Sequence, residues 1–168
     1  MSKLSWQESL RASLQNQSRS NNPPRVVVLG IGHELRGDDA VGLVVAARLK
    51  TRAADCDRLL AVEGGAAPEN CTGTLRRFRP NLVVLVDAAF MDAPAGAIGW
   101  LSWQDASGFS ASTHTLPLHL LATYLTSELG CEVTLIGIQP AQLEIDAPLT
   151  PAVAQAAEEF CKFIMEEL

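Results

Sequence analysis

The sequence predicts an α/β protein: a single-domain, three-layer α/β/α sandwich built on a mainly parallel sheet of about five strands. Three observations predict it. Short apolar runs alternate with helix-length segments of helical periodicity from residue 25 onward. The runs at residues 25–31 and 82–86 are continuously apolar after their first residues, the pattern of strands buried on both faces. Strand–helix alternation of this kind requires crossover helices, which cover the two faces of a parallel sheet. At 168 residues, with 48% hydrophobic and 19% charged residues, the chain is long enough for one proper core.

Residues 1–24 differ from the rest and are expected to be an N-terminal extension, with residues 25–168 forming the domain. Ser5-Trp6-Gln7-Glu8 has the spacing of a capping box, and Trp6, Leu10 and Leu14 recur every four residues. A short amphipathic helix that docks on the domain is expected there. A polar linker then ends in Pro23-Pro24.

The first strand is expected at residues 25–31 and a helix at 38–49, with Val41, Val44, Val45 and Leu49 on its apolar face. A second strand at 58–62 ends in Glu63-Gly64-Gly65. Pro68 suits the first position of the next helix, with Glu69 in its first turn. Arg76, Arg77 and Arg79 crowd the end of that helix before Pro80. Cations are favoured at a helix C-terminus, so these arginines read as caps rather than as a binding patch. A third strand at 82–86 precedes Asp87, and a fourth is expected at 96–103. Thr115-Leu116-Pro117 opens a helix that Gly130 closes. The fifth strand, 133–138, leads into Gln139-Pro140, and Thr150-Pro151 starts the last helix. There is no internal repeat.

Bulk properties exclude several function classes. The net charge of −6 opposes general binding to nucleic acid or to anionic membranes, both of which need basic patches. The N-terminus lacks the apolar core of a signal peptide, and no apolar run is long enough to span a bilayer. A soluble cytoplasmic protein is therefore expected. Cys56, Cys71, Cys131 and Cys161 are widely spaced with no C-x-x-C, so reduced, buried, structural thiols are expected. Neither H-E-x-x-H nor G-x-S-x-G occurs.

The chemistry concentrates in Gly30-Ile31-Gly32-His33-Glu34-Leu35-Arg36-Gly37-Asp38-Asp39-Ala40-Val41-Gly42. A glycine loop after a strand usually receives phosphate at a helix N-terminus. Here two carboxylates already stand there, and they repel an anion. In open α/β folds, ligands bind beyond the carboxyl ends of strands, where strand order reverses. That rule selects Asp38 and Asp39 after the first strand, Asp87 after the third, and His114 in Ser112-Thr113-His114-Thr115. Carboxylates supply hard oxygen ligands, imidazole suits zinc, nickel, copper or iron, and an incomplete ligand set leaves room for substrate. Each residue also has a bland reading: a cap for the acids, a loop hydrogen bond for Asp87, a structural role for the histidine. Adjacent Asp38 and Asp39 point in different directions, so one faces the site and the other caps or meets solvent. His33 is a second-rank candidate that could line the cleft, and His119 reads as structural or surface. Residues 63–70 form either a tight turn or one wall of a peptide-binding cleft.

Two other classes compete with a metal-using enzyme. A dinucleotide-binding domain has Gly30-x-Gly32 and Glu63 in its favour. It fails at Leu35, where G-x-G-x-x-G needs glycine, and at the charge of Asp38 and Asp39. A non-catalytic chaperone or binding module for a metalloprotein explains the ligands equally well.

These residues resemble the NiFe-hydrogenase maturation endopeptidases, most closely the branch serving the hydrogenase 3 large subunit. Five pieces carry the resemblance in order: residues 30–42 as quoted, Gly64-Gly65-Ala66-Ala67-Pro68-Glu69-Asn70, Val86-Asp87-Ala88, Thr113-His114-Thr115-Leu116-Pro117-Leu118, and Gly137-Ile138-Gln139-Pro140. It covers about residues 25–165. The resemblance implies a metal-contacting triad of Asp39, Asp87 and His114, with Asp39 preferred over Asp38. It implies cleavage of a C-terminal extension from a NiFe-hydrogenase large-subunit precursor after nickel insertion. It further implies that the nickel is carried by the precursor rather than held permanently. A monomer with an open cleft is expected. His33 departs from the family, which typically has Asn there. That change alters loop hydrogen bonding or adds a nitrogen ligand.

Overall fold

Strands β1 (Val26–Ile31), β2 (Leu59–Gly65), β3 (Leu82–Ala88), β4 (Ile98–Leu101) and β5 (Glu132–Ile138) form one sheet in the order β2-β1-β3-β5-β4. The computed structural model describes residues 4–18, 22–108 and 116–168. All neighbouring strands are parallel except β4, which runs antiparallel along β5 at the sheet's edge. Helices α1 (Trp6–Gln17), α2 (Val41–Arg52) and α5 (Pro151–Glu167) cover one face. Helices α3 (Thr72–Phe78) and α4 (Leu118–Leu129) cover the other. The expected three-layer sandwich is therefore present.

Alternation along the strands divides the core in two. Val26, Val28, Leu82, Val84 and Val86 pack with Val41, Val45, Leu49, Phe160 and Ile164. Val27, Leu29, Ile31, Val83 and Leu85 pack with Leu75, Leu121 and Leu125. Both β1 and β3 are buried at every position, as continuously apolar central strands should be. The N-terminal segment folds as expected, with Ser5 and Glu8 closing a reciprocal capping box. Trp6, Leu10 and Leu14 are buried, and Trp6 lies edge-on to Phe163 of α5 at 5.0 Å.

Several boundaries differ from expectation, for local reasons. Asp38 and Asp39 lie in a 3-10 turn, Gly37–Ala40, and the α-helix begins only at Val41. Strand β2 extends through the glycines to Gly65, beyond a register shift opposite Gly30 and Ile31. Asp87 lies within β3 rather than after it, because β5 continues to pair as far as Ala88–Ile138. Pro68 opens a 3-10 turn, Pro68–Cys71, before α3, and Arg79 ends that helix in the left-handed conformation at φ 55°. Helix α4 begins at Leu118 with Pro117 at its cap and closes on left-handed Gly130. Cys131 and Cys161 are buried as expected, whereas Cys56 and Cys71 are only half-buried.

Two glycines fix how α2 meets the sheet. A Cβ at Gly30 would lie 2.0 Å from the Gly42 carbonyl oxygen. One at Gly42 would lie 2.3 Å from the Val86 oxygen and 2.4 Å from the Ile31 oxygen. The first turn of α2 therefore rests directly on the backbones of β1 and β3. Any side chain at these positions forces the layers apart.

Gly42→Ala is expected to destabilise the fold by about 1–3 kcal/mol or more. Gly73→Ala, on the exposed start of α3 with its nearest neighbour 3.9 Å away, should stabilise it by about 0.5–1 kcal/mol. Thermal unfolding of the two variants checks both signs. Burial pushes the Cys131 and Cys161 thiols up to about 11, from 9.0. Their folded values exceed the unfolded one, so both contribute stability that declines as pH rises from about 9 towards 11. At pH 8 iodoacetamide should leave Cys131 and Cys161 unlabelled in the native protein and label them in denaturant, as read by peptide mass.

Candidate functional site

The site begins with the connection from β1 to α2. Gly32 takes φ 142° and a Cβ there would lie 1.9 Å from the Asp39 carbonyl oxygen, so the loop folds back onto its own 3-10 turn. Gly37, at φ 54°, completes the reversal against Gln142. The space before a dinucleotide-type glycine loop is here filled by the chain's own backbone. Glu63, the candidate ribose acid, lies 3.6 Å from Lys50 in an exposed ion pair.

Asp38 and Asp39 are both fully buried and do different work. The Asp38 carboxylate accepts from the Ala141 and Gln142 amides at 2.8 and 3.1 Å and from the Thr150 amide at 2.7 Å. The Thr150 hydroxyl donates to it as well, at 2.9 Å. Its own amide donates to the Gln142 carbonyl at 3.0 Å. Asp38 thus binds the segment after β5, and the N-cap of α5, to the glycine loop. It neither caps its own helix nor meets solvent, the two roles expected for the member of the pair turned from the site; it anchors a distant segment instead. The Asp39 carboxylate accepts from the His33 amide at 2.9 Å through Oδ2.

Asp87 is 1% exposed, the penultimate residue of β3, level with Gly137 of β5. Alternation places it on the same face as Val83 and Leu85, beneath α3 and α4. Strands β1 and β3 are neighbours, and the chain leaves β1 first for β2 on one side and later returns to β3 on the other. That is the reversal point at which such sheets bind ligands. The Gly37–Ala40 turn packs against β3, so Asp39 and Asp87 stand on adjoining elements at that point. His114 lies outside the described residues; Leu116, two positions on, packs against the α3/α4 core. Among the described residues no three histidine, cysteine or acidic side chains form a metal-holding group.

His33 is exposed, and its Nδ1 accepts the Leu35 amide at 3.2 Å. This is the local turn bond that an Asn side chain makes to the amide two residues on. The ring therefore makes a local turn bond through its own nitrogen. The two glycine loops face each other across an open cleft of about 330 Å³, lined by Gly32, His33, Glu34, Glu63, Gly65 and Ala66, with Leu43 at its base. Residues 63–66 thus form a cleft wall as well as a turn. His119 is half-buried on α4.

Three residues outside the candidate site hold this end together. Thr150 and Gln142 grip Asp38, and the only sequence signal was Thr150-Pro151 as a helix start. Buried Gln139 accepts the Met91 amide at 2.6 Å, fixing the loop that follows Asp87. Of the three arginines, only Arg79 caps α3, as its left-handed last residue; the Arg76 and Arg77 side chains donate to the Tyr124 hydroxyl at 2.7 Å and to the Thr74 hydroxyl at 3.3 Å.

The geometry can be set beside known proteins. The family model for hydrogenase maturation proteases matches residues 43–167, a span that contains Asp87 and His114 and begins just past Gly42. The hydrogenase 3 maturation protease of Escherichia coli is 35% identical over 133 residues, covering 79% of this chain and 83% of that one. A putative hydrogenase maturation protease of Methanocaldococcus jannaschii is 29% identical over 151 residues, covering 86% and 89%. The crystal structure of a [NiFe] hydrogenase maturation protease from Thermococcus kodakarensis superposes with a TM-score of 0.82 at 32% identity, covering 95% of this chain and 98% of that one.

Asp38→Ala should free residues 141–150, since it removes several charge-assisted bonds each worth about 1.5–3 kcal/mol. The expected result is a loss of about 3 kcal/mol or more in urea unfolding, with new proteolytic cuts between residues 141 and 149. Unchanged stability would show that Asp38 does not pin this segment.

Proposed function

The chain belongs to the hydrogenase maturation protease family, and on that ground we propose that it is an endopeptidase that removes the C-terminal extension of a NiFe-hydrogenase large-subunit precursor once nickel is inserted. The observation that carries the reading is the placement of Asp39, in the turn after β1, and Asp87, near the end of β3, at the point where strand order reverses. In this role Asp39, Asp87 and His114 contact the nickel that the precursor carries. The carboxylates supply oxygen and the histidine nitrogen. The metal is part of the substrate. Contact with it signals that insertion is complete and holds the scissile bond in place, an orientation effect. The extension runs extended through the cleft between the two glycine loops. Residues 25–168 carry this reaction, and residues 1–24 are an extension that takes no function from the family. The protein acts in the cytoplasm as a monomer. No described helix is long and apolar enough to cross a membrane.

The decisive assay mixes the purified protein with nickel-loaded and nickel-free precursor and follows precursor mass. Loss of the extension from the loaded precursor alone is expected. Persistence of the extension, with the other maturation factors supplied, overturns the reading, and stable binding without cleavage favours a chaperone. Asp39→Ala, Asp87→Ala and His114→Ala should each slow processing by about a hundredfold or more, with circular dichroism unchanged. Normal cleavage by all three overturns the site assignment.

A further inference from the structure

The same end of the sheet carries exposed apolar side chains that neither the fold nor the candidate triad requires. Six large apolar residues are exposed among those described, and three of them, Leu35, Phe90 and Ile145, lie on the loops that follow β1, β3 and β5. Those strands are consecutive neighbours in the sheet. Leu35 and Phe90 are each 50% exposed and Ile145 is 74% exposed. Exposed apolar residues scattered singly need no explanation, but a group gathered on one rim marks a contact surface.

Acidic residues accompany each of the three. Glu34 precedes Leu35, Asp92 follows Phe90 by two positions, and Glu144 and Asp146 flank Ile145; all four acids are exposed. None forms a salt bridge among the described residues. The loops are also fixed in place. The Asp146 amide donates to the Leu35 carbonyl at 2.8 Å, the buried Asp38 carboxylate holds residues 141, 142 and 150, and Gln139 holds Met91 beside Phe90. A surface already ordered loses little freedom on binding.

We propose that this rim is the docking surface for the folded body of the precursor, and that it takes an apolar patch ringed by basic side chains. The inference rests on the proposed function, because the precursor must reach Asp39 and Asp87 and the rim surrounds their end of the sheet. Charge decides against a second copy of this chain. Two such rims face to face would set carboxylates against carboxylates, in a protein of net charge −6. A basic-ringed apolar patch meets both properties at once, with the apolar centre supplying affinity and the charges orientation and rate.

The test is the affinity of immobilised nickel-loaded precursor for the full chain, with extension loss recorded in parallel. The double variant Leu35→Ser/Ile145→Ser should weaken binding about tenfold or more. Glu144→Lys/Asp146→Lys should weaken it too, and should abolish the loss of wild-type affinity on raising ionic strength. Leu120→Ser, an exposed apolar residue on α4, should bind as wild type. A wild-type chain that cleaves while the rim variants bind within about twofold of it overturns the docking surface alone. A wild-type chain that binds through the rim without cleaving overturns the endopeptidase reading alone, and one that neither binds nor cleaves overturns both. A concentration-dependent dimer that the double variant loses would assign the rim to self-association instead.

Discussion

The contact on which the other features depend is backbone against backbone. Gly30 and Gly42 let the first turn of α2 rest on β1 and β3 with no side chain between. Helices normally stand off a sheet by the thickness of their side chains. Here the entry to α2 is drawn onto the strand ends, and the Gly37–Ala40 turn is carried with it. That places Asp39 beside the end of β3 rather than above it. Gly32 serves the same contact from the other side, by admitting the Asp39 carbonyl. The glycine loop is therefore a packing device, and its resemblance to a phosphate cradle is superficial.

Adjacent, identical residues acquire opposite tasks from this arrangement. Asp38 spends both oxygens on four donors from residues 141, 142 and 150, an internal network that ties the chain's last third to its first. Asp39 faces the other way, with the His33 amide on Oδ2. A buried carboxylate satisfied by several amides is a structural element in its own right, comparable to a crosslink in what it holds together. In the proposed role the pair divides into an anchor, Asp38, and an arm, Asp39.

The strands were legible because central parallel strands must be apolar on both faces, and residues 82–86 leave no other reading. Alternation with helices announced a parallel sheet, but the strand order that locates the reversal point came from the structure. Local geometry was not legible either. Nothing in Gly-Asp-Asp-Ala distinguishes a 3-10 turn from the first turn of an α-helix, and the turn's contact with Gln142, more than a hundred residues away, is invisible to local pattern. The extent of β3 through Asp87 was hidden likewise, being set by how far β5 continues alongside it. Sequence periodicity reports which face a residue occupies; long-range pairing decides where an element stops. His33 adds a local bond that residue type alone did not announce, its ring accepting the Leu35 amide.

One further consequence follows from Asp87 standing on a rung of the ladder rather than on a loop. Its backbone is paired with Gly137 of β5, and the backbone of its neighbour Asp39 lies against Gly32. A residue on a paired strand shifts only when the pairing shifts, whereas a residue on a loop moves with the loop alone. The position of Asp87 is therefore tied to the register of β3 against β5, and any slip between those strands would displace it together with Gly137.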